Sequence, residues 1–186
     1  GKGEVSFYAF HSVDHQKAFS VNVKVNSTDL DFYCFTKYSE NIWTIESVKR
    51  FLFPKFIYIA ADSLRSLTTL TSADSSMLKL LNLMTASDDL LKEYLNENLN
   101  KFEQLLKYFN QNDKDSIKIL IDELSLNGIF KDNKYPGCIF IQIGEMQARE
   151  VGYIVNIDGA KLPEISPEDF VYVELIIPGW YLYRLM

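Results

Sequence analysis

Apolar and polar residues alternate with a period of two through the first fifty positions, and that period predicts strands. Val5, Phe7 and Ala9 alternate with Ser6, Tyr8 and Phe10, and Phe19, Val21, Val23 and Val25 alternate with Ser20, Asn22 and Lys24. The polar stretch Ser12 to Lys17 reads as a hairpin loop between them, and Asn26-Ser27-Thr28-Asp29 as a turn. Phe32 to Tyr38 reads as a third strand, Ser39 to Asn41 as a turn and Trp43 to Phe51 as a fourth strand. Short polar connections between consecutive strands favour an antiparallel meander.

The period then changes to that of a helix. Pro54 can open a short helix to about Leu64, because a proline's missing N–H would be unpaired in a first turn anyway. Leu67 to Ser76, rich in Ser and Thr, reads as a loop. Ser76 can cap a helix to Met84, and Ser87 a longer one with Asp88 and Asp89 in its first turn, where the helix dipole favours carboxylates. Leu91, Leu95, Phe102, Leu105, Leu106 and Phe109 share one face of that longer helix. Another helix starts near Asp115, turns Ile117, Leu120, Ile121 and Leu124 inward, and stops at Asn127-Gly128.

Strands return after the helices. Cys138 to Ile143 and Val151 to Ile157 alternate, with Gly144 to Glu150 connecting them and Asp158-Gly159 as the next turn. Phe170 to Ile177 and Trp180 to Leu185 follow a loop with two prolines. Pro178-Gly179 between them suits a type II turn, whose twist fits a tight hairpin poorly, so a bulge or a longer loop is expected there. The fold class is α+β, with two antiparallel four-stranded units (about 4–51 and 138–185) flanking a helical middle segment (about 54–127). The natural division is 1–70, a β unit with a short helix, and 71–186, helices plus a sheet, which can pack as one domain.

The two β units echo each other. Phe32-Tyr33-Cys34-Phe35 leads through a turn to Trp43-Thr44-Ile45-Glu46, and Phe170-Val171-Tyr172-Val173 leads through a turn to Trp180-Tyr181-Leu182-Tyr183. Each is the last hairpin of its run, and in each a Trp opens the final strand. This pattern resembles the closing hairpin of small NTF2-like and cystatin-like domains, many of them in exported bacterial proteins. The segment from Ser75 to Met186, helices first and sheet after, has the NTF2-like layout. Residues 1–50 depart from it, since no helices precede that sheet, and no functional residue carries over from so short a match.

Composition narrows the function. Lys and Arg number 19 against 25 acids, a net charge of −6, which disfavours a nucleic-acid binder that must displace counterions from phosphates. No apolar run is long enough for a transmembrane helix. The chain opens on Gly1-Lys2-Gly3 rather than Met, and removal of an export signal is the expectation, giving a periplasmic or cell-surface location with a cytoplasmic one as the alternative. Lys outnumbers Arg, and Asn and Ile are abundant, as in AT-rich bacterial genomes. Asn26-Ser27-Thr28 fits a glycosylation acceptor, a pattern short enough to arise by chance.

Candidate chemistry is sparse. His11, Asp14 and His15 form the one cluster of metal-ligand type, in the proposed first hairpin loop, where a solvated role outweighs a metal site. Cys34 and Cys138 read as free thiols, with a disulfide as the alternative. Glu145, Glu150, Asp158, Glu164, Glu168 and Asp169 fall at turns, where acids keep loops in water. No nucleophile motif and no Gly-rich phosphate loop occurs, so no cofactor is expected. The aromatic residues are the unusual feature, since several strands carry them on both faces, and both faces must then be covered or one must bind something. Tyr172, Trp180, Tyr181 and Tyr183 are the candidate partner-binding residues, for a protein, peptide or glycan. The leading expectation is a non-enzymatic, exported binding or accessory protein of a bacterial envelope. The alternatives are a small acid- or His-dependent hydrolase or isomerase in an NTF2-like cone, and a cytoplasmic inhibitor or immunity-type protein.

Overall fold

The computed structural model describes residues 3–25, 28–156 and 159–186; Asn26 and Ser27 of the glycosylation pattern and Asp158 of the third turn lie outside them. The described strands and helices make an α+β fold of two antiparallel sheets and an intervening helical segment.

The strands β1 (Gly3–Val13), β2 (Gln16–Val25), β3 (Thr28–Ser39) and β4 (Ile42–Lys49) pair in chain order as the expected meander. Its hairpins are tighter than the polar stretches suggest. Val13 pairs with Gln16 across Asp14-His15, so His11 stands in β1 and not in a loop. Glu40 and Asn41 both take positive φ, 53° and 63°, the backbone of a type I′ turn whose twist matches its strands.

Five helices follow: α1 (Lys55–Arg65), α2 (Ser72–Met84), α3 (Asp88–Glu97), α4 (Leu99–Gln111) and α5 (Lys114–Glu123). Three boundaries differ from the expectation, each for a local reason. α2 starts four residues before Ser76, because Thr71 and Asp74 form a reciprocal capping box. The long helix after Ser87 is broken at Asn98, whose Nδ2 donates to the Tyr94 carbonyl at 2.9 Å while its backbone leaves the helical region. The last helix stops at Leu124 instead of Asn127-Gly128, with Ser125 in the left-handed region at φ 49°.

The second sheet has five strands, one more than expected: β5 (Gly128–Lys131), β6 (Cys138–Met146), β7 (Arg149–Asn156), β8 (Phe170–Ile177) and β9 (Trp180–Leu185), in the order β5-β6-β7-β9-β8. Gly128, read as a helix stop, instead begins β5. The connection expected over Gly144 to Glu150 shrinks to Gln147-Ala148, both at positive φ. The bulge expected near Pro178-Gly179 is present as a register shift between Leu175 and Ile177, with Gly179 at φ 84°. Gly152 is needed for packing, since a Cβ there would lie 2.2 Å from the Ile141 carbonyl oxygen.

The helices cover one face of the second sheet. Phe102 of α4 sets its ring 5.3 Å from Tyr153 and 5.9 Å from Trp180, and the Tyr153 hydroxyl donates to the Leu91 carbonyl at 2.7 Å. The opposite face carries Phe140, Phe170 and Tyr183 and packs against Tyr135, Ala160, Leu162 and Ile165 from the long connections. The first sheet turns Ala18, Tyr33 and Phe35 into the core, and its Phe10 and Tyr33 meet Tyr172 of β8 at 4.8 and 5.0 Å. One continuous core cluster thus runs from Ala18 and Tyr33 through the helices to Leu182.

Candidate functional site

Strand pairing sorts the first sheet into two faces. The rungs Tyr8–Ser20–Tyr33 and His11–Ala18–Phe35–Ser47 look inward. On the other face lie the rungs Val5–Val23–Leu30, Phe7–Val21–Phe32 and Ala9–Phe19–Cys34–Val48, followed by Ser12–Lys17–Thr36–Ile45 and Tyr38–Trp43. That outward face is apolar from Val5 to Val48 and carries Ser12, Lys17 and Thr36 in the next rung; its edge-strand side chains stand in water and those of its two central strands are half-buried. Phe7 is 72% exposed, Ile45 68% and Val5 62%.

The polarity of these strands is inverted toward the Gly3–Val25 end. There the positions that point back toward the body are polar, as in the rung Ser6–Asn22–Asp31, where Asn22 donates to Asp31 at 2.9 Å. An amphipathic strand normally buries its apolar set. Here the apolar set points away from the chain's own core. One cation stands on the face and one beside it, each over a ring: Lys17 Nζ lies 4.8 Å from the Trp43 centroid and the Arg50 guanidinium 5.7 Å from that of Phe32.

The aromatic residues expected to bind a partner lie elsewhere. Tyr172, Trp180 and Tyr183 are buried and Tyr181 is half-buried, so this set builds the core and does not form an accessible surface. The reason is that both faces of the second sheet are covered, one by helices and one by the long connections. Of the metal-type cluster, His11 points inward toward a cleft of about 380 Å³ shared with Glu46 and the segment from Ile165 to Glu168, and burial lowers its pKa. Asp14 and His15 sit in the turn, where His15 stacks 5.7 Å from Tyr38. Among the described residues no group of His, Cys, Asp or Glu converges as a metal site. Cys34 and Cys138 are free thiols. No described helix is long and apolar enough to cross a membrane.

Two polar ties hold the first sheet against the body, and neither was visible in the sequence pattern. Asp88, at the start of α3, accepts from Arg184 Nε at 2.7 Å and from the Tyr33 hydroxyl at 2.9 and 3.0 Å. Arg184 also donates to the Ala86 carbonyl at 2.8 Å and stacks over Phe51. Burial pushes the Asp88 carboxyl up, against the pull of Arg184 and of the Tyr33 hydroxyl. Asp31 of β3 caps α3 from outside, accepting from the Asp88 N–H at 3.0 Å, while the Ser87 hydroxyl, expected as the cap, makes no such bond. The second tie joins Tyr8 of β1, Lys92 of α3 and Tyr172 and Glu174 of β8. Lys92 pairs with Glu174 at 2.6 Å, Tyr8 donates to Glu174 at 2.9 Å, and Tyr172 also bonds Glu174.

The cavities match this division of labour. The one beside Asp31, Tyr33, Ser87 and Arg184 holds only about 140 Å³, below the range of about 300–1,000 Å³ typical of small-molecule sites. A cleft of about 640 Å³ between Tyr135, Pro136 and Leu162 is large enough, but its lysines are engaged, Lys134 with Asp169 at 3.3 Å and Lys161 with Glu164 at 2.6 Å.

Glu150, read as a solvated turn acid, is half-buried and accepts from the Tyr183 hydroxyl. Burial pushes its carboxyl up, while the bonds from Tyr183 and Gln142 pull the other way. A carboxyl raised in the folded state binds its proton more tightly there than in the unfolded chain. Its ionisation therefore destabilises the fold progressively as pH rises above the unfolded Glu value of about 4.3. Glu150→Gln should flatten the stability–pH curve across that window, measured by urea unfolding at a series of pH values. Parallel curves for the two proteins would contradict the assignment.

Compared with protein-family models, with curated proteins and with solved structures, the chain matches none.

Proposed function

We propose that the protein is a non-enzymatic binding protein that engages a partner protein through the outward face of β1–β4. The observation that carries this reading is the inverted polarity of β1–β3 toward the Gly3–Val25 end, where the apolar side chains point away from the chain's own core and continue into the exposed Val48 and Ile45 of β4. Monomeric proteins rarely leave a contiguous apolar surface of several hundred Å² in water, and such surfaces mark interaction sites. The face offers rings and aliphatic chains with few hydrogen-bonding groups, which suits an apolar protein surface better than a glycan. The enzymatic alternative finds less support. Asp88 is the buried acid of raised pKa, yet its oxygens are engaged by Arg184 and Tyr33, beside a cavity too small for most substrates.

The test is a pair of variants, Phe7→Glu and Ile45→Glu. Exposed substitutions away from the core normally change stability by no more than about 0.5 kcal/mol. Compared at concentrations low enough for every chain to be monomeric, both variants should therefore unfold at nearly the wild-type urea midpoint, yet bind an apolar fluorescent dye much more weakly. Loss of folding, or unchanged dye binding, would count against this face as the docking surface.

A further inference from the structure

We infer that the outward face of β1–β4 docks on the same face of a second copy of this chain, closing an eight-stranded sandwich across a two-fold axis. The inference rests on the reading of this face as the docking surface and adds its occupant. An isologous interface must complement itself, so a patch dominated by one sign of charge cannot serve. This face meets that condition. Val5, Phe7, Val21, Phe32, Val48 and Ile45 are uncharged, and its two cations are Lys17, in the rung at one end and over Trp43, and Arg50, beside the face and over Phe32.

Size and shape also fit. Four strands at about 4.8 Å spacing, each roughly eight residues long at about 3.4 Å per residue, present about 500 Å² per copy. Two copies then bury on the order of 1,000 Å², the size at which specific protein–protein interfaces begin. Two sheets facing each other about 10 Å apart, with strands about 30° from parallel, is how sandwiches bury such faces. The middle rung Ala9–Phe19–Cys34–Val48 would lie near the axis, so the half-buried Cys34 thiol of each copy becomes shielded by the other.

Sedimentation equilibrium of the full chain up to about 100 µM should give twice the 21.5 kDa chain mass. Phe7→Glu and Ile45→Glu should each raise the dissociation constant at least about tenfold, as placing a charge in a desolvated apolar interface does. Alkylation of Cys34 should be slow in the dimer and fast in either variant. A chain that stays monomeric at the highest concentration, or a dimer indifferent to both variants, overturns the inference. A monomer whose dye binding is lost in Phe7→Glu overturns only the second copy and leaves the docking surface standing. A monomer that binds no dye overturns both.

Discussion

Replacing Asp88 by Ala is expected to cost about 3–5 kcal/mol of folding stability, because breaking a buried pair from one side strands the remaining charge. Arg184 is 3% exposed, and its guanidinium would keep the Ala86 carbonyl, the Phe51 ring and the longer-range attraction of Asp31 but no carboxylate bonded to it. The Tyr33 hydroxyl would lose its acceptor at the same time. Arg184→Met should cost less at acid pH than at neutral pH. Burial already pushes the Asp88 carboxyl up, so without its partner it can take a proton and remain as a neutral acceptor for Tyr33. The double variant Asp88→Leu with Arg184→Met should recover much of the loss, since an apolar pair carries no desolvation cost. Urea unfolding of the wild type, Asp88→Leu, Arg184→Met and their double variant at two pH values gives the coupling. The tie connects β3 to α3 and β9, so amide exchange in Asp88→Ala should rise first in β1–β4. A loss below about 1 kcal/mol, or exchange that rises evenly over the chain, would mean the tie does not anchor the first sheet.

The pairing order of the first sheet was legible in the sequence because period two and the polar gaps at residues 12–17 and 39–41 fix a meander. Which of its faces is buried was not legible. Phe7, Val21 and Phe32 on one face are as apolar as Phe10, Tyr33 and Phe35 on the other, and only the tertiary partner decides. Tyr172, Trp180 and Tyr183 were assigned to a surface for the same reason, and the helices and long connections bury them. Asp88 was hidden differently. An acid in a first helical turn satisfies a local rule, so nothing in the local pattern calls for Arg184 almost a hundred residues later. Arg184 itself held the better signal. It follows Trp180 and Leu182 on one strand face, and a charge on a buried face requires a partner. The Thr71–Asp74 capping box was readable too, but the Ser-rich run after it hid the helix start.

The echoed hairpins show how one local pattern serves opposite ends. Trp43 is the second residue of β4 and Trp180 the first of β9, each in the last strand of its sheet in chain order and after a tight turn. Trp180 is buried beneath α4, whereas Trp43 is 42% exposed beside Tyr38 on the outward face. The second sheet has its cover within the chain. The first has cover on one face and presents the other, and the polar ties at Asp88 and Lys92 fix it in that orientation. On the proposed reading, binding through the sheet depends on a rigid mount rather than on a shaped pocket.

The mount in turn depends on how firmly the helices grip the second sheet, and Phe102 is the residue that tests this. Its ring is fully buried and makes edge contacts with Tyr94, Tyr153 and Trp180, one partner on α3 and two on the sheet. Phe102→Ala should lower stability by about 3–5 kcal/mol, the sum of the lost transfer energy and of a cavity that three large rings cannot collapse to fill. Phe102→Leu should cost about 1–2 kcal/mol, since the volume is mostly kept and the ring-edge contacts are lost. The Ala variant should lower the urea midpoint with little change in the slope of unfolding, as loss of packing in an unchanged fold does. Its pattern of amide exchange should be the reverse of that in Asp88→Ala, with α3, α4 and β7 loosened before β1–β4. The outward face does not touch Phe102, so dye binding to Phe7 and its neighbours, read on the dilute monomer, should survive the Ala substitution while the chain stays folded. If that binding fell in step with stability, the exposed face would depend on the helix–sheet core, and the division between mount and docking surface would fail.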